Sequence, residues 1–507
     1  MKQSRTKNSI KNITYSVISY FVFLLLQFVL RSVFISCLSG EYLGLNGLFS
    51  NILSFLSLAE LGVGSAISYA LYRPIAENDI VSIQSLMKLY RKLYRRIGIV
   101  ILVTGSAITP FLSYLIKDMP RNMPEIYLYY VLYVVNSGIS YFYTYKRSLL
   151  ICSQKEYISS VTTGIARVML SVLQMAALVI GQSYLAYLLI AIAVTFSENV
   201  AVSLVADKMY PYLKEKNVPP VPEKDSSDIR KNIMALMCHK IGYVIVFSTD
   251  NIIISKFVGL VAVGLYSNYT MIINAVNSLF SRVVASVTAS IGNLVQTEDK
   301  GHVETVFYRV LFMNCWLRGL SSIALFCLLQ FFIRLWVGER FLLPQATVLI
   351  IAVNFYIGGV RSPVNIFKEV TGNFRHDQFK ALAESVINIV FSIPLAIRFG
   401  IAGVLLGTIA STLLLTFWVE AYVLFKYFFE KGITEYIVKQ VIYGFVVCLA
   451  GAVCFLICNC IPSENISDFI LHIVVCVFVP NCIFAFLFSR TGEYKYFWNL
   501  LKRQLGR

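Results

Sequence analysis

The chain has 507 residues, of which 57% are hydrophobic and only 14% charged, with a formal net charge of +17. Soluble domains carry about 25% charged residues, so this composition excludes a soluble protein, which could not cover its own surface. The positive charge would suggest nucleic acid in a soluble chain, but here it sits between long apolar blocks, where it sets orientation in a membrane.

Lys2, Arg5, Lys7 and Lys11 precede an apolar run from Ile13 to Cys37. That run is too long for a signal-peptide core and lacks a small-residue cleavage site, so it reads as a retained first helix. Fourteen spans are predicted, at about 13–36, 44–71, 95–116, 124–145, 157–180, 184–206, 232–255, 262–292, 305–332, 344–367, 379–397, 402–425, 439–459 and 467–489. Short connections make neighbouring helices antiparallel. The fold class is all-α and polytopic, with two six-helix lobes followed by two C-terminal helices.

With both termini placed in the cytoplasm, most of the 44 basic residues fall on the inner side. Arg91, Lys92, Arg95 and Arg96 follow the second span, Lys146 and Arg147 the fourth, and Lys495, Lys502 and Arg503 the last. This alternation supports an even number of crossings. The one polar connector, 214–231, is rich in proline and charge and reads as a solvated cytoplasmic linker. It separates a first lobe, 1–213, from a second, 232–430, leaving 431–507 for the final two helices and a cytoplasmic tail. The halves echo each other: GEYLGLNGLFS from Gly40 and GLVAVGLYS from Gly259 place Gly44 and Gly264 220 positions apart. Two such repeats are related by an axis along the membrane normal.

Polar residues inside spans are costly and therefore informative. The intramembrane bases are Arg31, Arg167, Lys240, Arg282, Arg318 and Arg361, each costing about 2.5–3.5 kcal/mol at mid-bilayer if it faced lipid. Ser16, Tyr20, Gln27 and Arg31 fall within about 60° on an otherwise apolar first helix, which points that stripe at an interior cavity. Snorkelling of Arg31 to the outer interface is the alternative. A serine-rich face on the second span reads as close helix packing, and the seventh and eighth spans carry polar faces that suggest a second polar wall. Glu60 and Asp250 are the deepest acids, placed to pair with arginines, bind a coupling ion (Na+ or H+) or relay a proton. Glu198, Glu384 and Glu420 lie nearer the inner ends and read as interfacial. The bases and Gln27 are the candidate substrate-binding residues.

The eleven cysteines are scattered, several within apolar runs (Cys37, Cys238, Cys315, Cys327, Cys448, Cys454), and no Cys-x-x-Cys occurs. They read as small packing residues, with no metal site, cofactor or disulfide framework. The sequence also holds no GxxxxGK[ST], HExxH or GxSxG motif, so a catalytic role is not expected.

Three stretches carry a resemblance: LAELGVGSAISYALYRPIAEND (Leu58–Asp79), TDNIIISKFVGLVAVGLYSNYTMII (Thr249–Ile273) and NIVFSIPLAIRFGIAGVLLGTIAS (Asn388–Ser411). With the fourteen-span plan, the chain resembles the polysaccharide branch of the multidrug/oligosaccharidyl-lipid/polysaccharide flippase superfamily. The resemblance implies two lobes around a central cavity, alternating access, and an undecaprenyl-diphosphate-linked oligosaccharide as cargo for capsule, exopolysaccharide or O-antigen assembly. It implies cavity arginines against the diphosphate, which matches Arg31 and the other buried bases. Membrane lipids, glycosyltransferases and a polymerase of the same route are the implied partners, and a bacterial cytoplasmic membrane the location. The competing readings are a cation-coupled drug exporter, a lipid II flippase and a membrane glycosyltransferase or polymerase. The first span carries a base but no acid, which argues against the exporter. Every predicted outer loop is short, which argues against the polymerase.

Overall fold

The computed structural model describes residues 2–506 apart from 61, 118, 120–122, 216, 224–225, 228, 232, 235–236, 238–247, 373–374 and 378; side chains at 2–19, 59, 286, 289, 375 and 504–505 also lie outside the description. The described chain is 89% helical and contains no strand. It forms two compact units, Met1–Gly264 and Leu265–Arg507.

In the first unit α1 (Lys2–Cys37) is followed by α2 (Gly40–Leu56) and α3 (Val63–Glu77), which interrupt the predicted second span with a 3-10 turn at Ser57–Glu60. Next come α4 (Ile80–Ile108), α5 (Ile126–Cys152), α6 (Glu156–Gly181) and α7 (Tyr184–Met209). Asp79 caps α4, its carboxylate accepting from the Ser82 N–H at 3.1 Å and hydroxyl at 2.6 Å, which satisfies donors that a helix start leaves free.

The second unit holds most of α8 (Leu260–Thr297), α9 (Lys300–Val337), α10 (Gln345–Val360) and α11 (Ser362–Thr371), the last two separated by Arg361. It continues with α12 (Lys380–Phe399), α13 (Ile401–Phe429, with π turns at Thr412–Thr416 and Phe425–Phe429), α14 (Thr434–Asn459), α15 (Ile466–Phe488) and α16 (Gly492–Leu505). Its core gathers Phe307, Phe312, Phe367, Phe425, Tyr436 and Phe484 from α9, α11, α13, α14 and α15.

Eleven helices among the described residues are long and apolar enough to cross a membrane. Of the other expected spans, the second is the broken α2–α3 pair, the fourth is the tyrosine-rich α5, and the seventh falls largely on residues outside the description. The fold is that of a multi-pass membrane protein.

Three features go beyond the sequence reading. The connector after α7 is strapped to α4. Gln84 Nε2 donates to the Tyr212 carbonyl at 2.7 Å, Ser85 Oγ to that of Pro219 at 2.8 Å and Lys88 Nζ to that of Val218 at 3.0 Å, and Ile229 joins the core around Tyr90 and Leu149. The echoed glycine segments lie against each other within the first unit; a Cβ on Gly44 would run into the Leu260 carbonyl, and one on Gly264 into that of Gly40. Finally, four cysteines that are dispersed in sequence, Cys327, Cys454, Cys458 and Cys476, converge in the second unit, with all four sulfurs within 4.8 Å of one another. Their helices bring together residues up to 149 positions apart, which no local spacing announces.

Candidate functional site

The first unit concentrates polar and aromatic side chains toward both ends of α5, a helix carrying Tyr127, Tyr129, Tyr130, Tyr133, Tyr141, Tyr143 and Tyr145. Near its start the Tyr133 hydroxyl donates to Asn46 Oδ1, and the Tyr184 hydroxyl donates to the same oxygen at 2.8 Å. Phe34 meets the rings of Tyr184 and Tyr187 edge-on at 6.0 and 5.3 Å. Arg31 of α1 lies within electrostatic reach of Tyr187 and Tyr133. The predicted basic residue of the first helix thus lies beside tyrosines of α5 and α7, while Gln27, one turn earlier, is exposed.

About 20 Å along α5, at 1.5 Å per residue, lies a cavity of 750 Å³. Lys88, Arg91 and Arg95 of α4, Lys146 of α5 and Lys214 of the connector line it, with Phe142, Tyr143 and Phe196 as apolar walls. Its acids, Asp207 and Glu215, are already engaged: Lys146 Nζ lies 2.7 Å from both Asp207 oxygens, and Gln84 Nε2 donates to Glu215 at 2.6 Å. Five bases against two acids leave the cavity net positive. Sequence reasoning assigned Arg91 and Arg95 to orientation alone and passed over Lys88. Their i, i+3, i+7 spacing, which puts all three on one helix face, was the available signal.

The remaining bases fall at separate places. Arg167 is exposed on α6, with its guanidinium 4.2 Å over the Phe23 ring. Arg282 is exposed on α8, and Lys240 lies outside the described residues. Arg318 is 7% exposed: Nη1 donates to Asn277 Oδ1 at 2.7 Å, and the guanidinium lies 3.9 Å over Phe280 and 4.8 Å from Phe355. Gly359 makes room for it, since a Cβ there would strike Arg318 Cδ and Nε.

Arg361 is committed to an ion network. Nε and Nη2 grip both Glu420 oxygens at 2.9 and 2.7 Å, and Nη1 reaches Glu384 at 3.5 Å. Lys380 bonds the same Glu420 at 2.5 Å and Asp377 at 3.1 Å, and Lys368 also pairs with Asp377. Three bases and three acids compensate one another. Glu420 and Glu384 are buried members of this network, because the arginine at the α10–α11 break turns inward toward them. Glu198 accepts from Arg147 at 2.6 Å and Thr163 at 2.8 Å. Glu60, at the α2–α3 break, accepts from the Tyr94 hydroxyl at 2.6 Å, which fits a structural anchor. Asp250 is half-buried in a helical segment of the first unit.

The sequence model described as "Polysaccharide biosynthesis protein" matches residues 9–289, more than half of the chain. This protein belongs to that family. No protein of curated function matches it. Among solved structures, the lipid II flippase MurJ in its inward closed conformation superposes with a TM-score of 0.67 at 13% identity, covering 94% of this chain and 99% of that one. An inward-facing multidrug resistance MATE transporter of the MOP superfamily gives 0.63 at 14% identity, covering 82% and 98%. A MOP superfamily transporter from Pyrococcus furiosus, described by the reversed polarity of its binding pocket, gives 0.51 at 13%, covering 82% and 93%. At such identities the likeness shows the fold alone, one shared with a flippase and with transporters.

Proposed function

We propose that this protein carries an undecaprenyl-diphosphate-linked oligosaccharide repeat unit from the inner to the outer leaflet of a bacterial cytoplasmic membrane by alternating access, supplying capsule, exopolysaccharide or O-antigen assembly. Both termini are cytoplasmic in this reading, and glycosyltransferases and a polymerase of the same route are the partners. The observation that carries it is the basic cavity of the first unit. A lipid tail crosses in contact with lipid, whereas a diphosphate and its sugars need a polar path and positive charge. Lys88, Arg91 and Arg95 supply that charge, which the cavity's two acids, one of them already paired with Lys146, do not balance, and guanidinium forks suit phosphate oxygens. Arg31 of α1, beside Tyr187 and Tyr133, is the second anchor, toward the other end of α5.

The test is deletion of the gene, extraction of lipid-linked sugars and staining of surface polysaccharide. Viable cells that lose one surface polymer and retain its undecaprenyl-linked unit on the inner leaflet support the reading and identify the cargo. Lethal depletion with accumulated lipid II would replace it with the peptidoglycan-precursor reading. Intact polymer with new sensitivity to cationic dyes would replace it with the drug exporter.

A further inference from the structure

Three helices of the second unit each deliver sulfur to one point. Cys327 comes from α9, Cys454 and Cys458 from successive turns of α14, and Cys476 from α15. Cys454 Sγ lies 3.7 Å from Cys476 Sγ and 4.0 Å from Cys327 Sγ. All four are free thiols. A disulfide would require about 2.05 Å between sulfurs. Four sulfurs at about 2.3 Å from a tetrahedral zinc ion stand about 3.8 Å apart, close to the 3.7 and 4.0 Å of the two pairs around Cys454.

We propose that Cys327, Cys454, Cys458 and Cys476 form a tetrathiolate site for a soft divalent cation, zinc above all, that clamps the α14–α15 hairpin to α9. Soft sulfur donors in tetrahedral array select zinc over the hard cations magnesium and calcium. Binding releases four thiol protons and leaves a zinc tetrathiolate of net charge −2, which apolar surroundings alone would penalise heavily. His472 braces the site. It is 4% exposed, one helical turn before Cys476. Its Nδ1 stands 2.8 Å from the Asp468 carbonyl and its Nε2 3.1 Å from the Cys458 carbonyl. Through these backbone contacts the ring fixes the Cys458 turn, as outer-shell groups do at metal sites.

The full-length protein, purified in detergent with reductant and without chelator, is incubated with Zn2+ and desalted for elemental analysis, and separately titrated with Co2+. One zinc per chain and the intense visible spectrum of tetrahedral tetrathiolate cobalt are expected. Cys476→Ser and Cys327→Ser lose both signals, whereas Cys448→Ser, at an exposed cysteine on α14, keeps both. His472→Gln weakens zinc about tenfold or more. The Co2+ spectrum of the unaltered chain stands even if a serine variant fails to elute as a single species. A chain that retains no metal with four free thiols, a Cys454–Cys476 disulfide by mass spectrometry, or undiminished binding by Cys476→Ser would each overturn the proposal.

Discussion

The guanidinium of Arg318 donates to Asn277 at 2.7 Å and stacks 3.9 Å over Phe280, so its charge is held by one amide and two aromatic faces. A desolvated cation–π contact contributes about 2 kcal/mol, and a hydrogen bond to a charged group about 1.5–3 kcal/mol. Arg318→Lys keeps the charge but loses the planar stack. We expect a lower melting temperature in detergent and roughly tenfold slower export, with Arg318→Ala inactive yet still inserted. Wild-type melting of the lysine variant would show that only charge matters there.

Glu420 is shared by Arg361 and Lys380, whose other acids, Glu384 and Asp377, lie farther off at 3.5 and 3.1 Å, so removing Glu420 takes the shortest ion contact from two cations at once, whereas removing Arg361 leaves Glu420 on Lys380. Breaking a buried pair costs about 3–5 kcal/mol. Glu420→Ala is expected to unfold at a clearly lower temperature than Arg361→Ala, in thermal melts followed by size-exclusion. The reverse order would contradict the network.

Gly403 and Gly407 form a small-xxx-small face on α13. A Cβ on the first would strike the Leu395 carbonyl, and one on the second the Ser392 side chain of α12. Such seams let backbones approach closely. Gly403→Val should prevent stable insertion, whereas Gly444→Val, where nothing lies within 4 Å, should leave yield unchanged. Pulse-chase of membrane-inserted protein measures both.

The cavity arginines carry the phosphate hypothesis. Arg91→Gln with Arg95→Gln should reduce export at least tenfold with unchanged melting temperature, since both side chains are exposed. Arg31→Lys should fail partially, because a point charge replaces a bidentate fork. Counting surface polymer against protein in the membrane decides each case.

Acid should release the terminal helix α16. Burial raises the Glu493 carboxyl, but Lys439 at 2.7 Å outweighs it and holds the group below the ordinary carboxylate range. A depressed carboxylate contributes stability that is complete above its unfolded value of about 4.3 and is lost as pH falls through the folded one. Limited proteolysis should therefore cut near residue 492 faster below about pH 4, while Glu493→Gln shows no such pH step.

What the sequence disclosed follows from range of interaction. Apolar periodicity marked the helices, because a bilayer demands long apolar runs. The Gly44–Gly264 echo was visible, although not that the two segments touch. Arg31, Arg318 and Arg361 were recognisable as costly buried charges, but their fates differ through partners far along the chain: tyrosines of α5 and α7, Asn277, Glu420. The cysteine cluster stayed hidden for the same reason, since Cys327 and Cys454 are neighbours only after α9 and α14 pack. Arg91 and Arg95 looked topogenic because orientation and ligand binding draw on the same residue types.

The strap over α4 has an evolutionary corollary. Gln84, Ser85 and Lys88 hold it by the carbonyl oxygens of Tyr212, Pro219 and Val218, groups that every residue type supplies alike. Substitutions along 212–219 are then nearly silent to those bonds. Insertions or deletions are not, since one residue more or less shifts the register of carbonyls and reshapes the rim bearing Lys214. Relatives should therefore vary freely in what this segment spells while agreeing on how long it is.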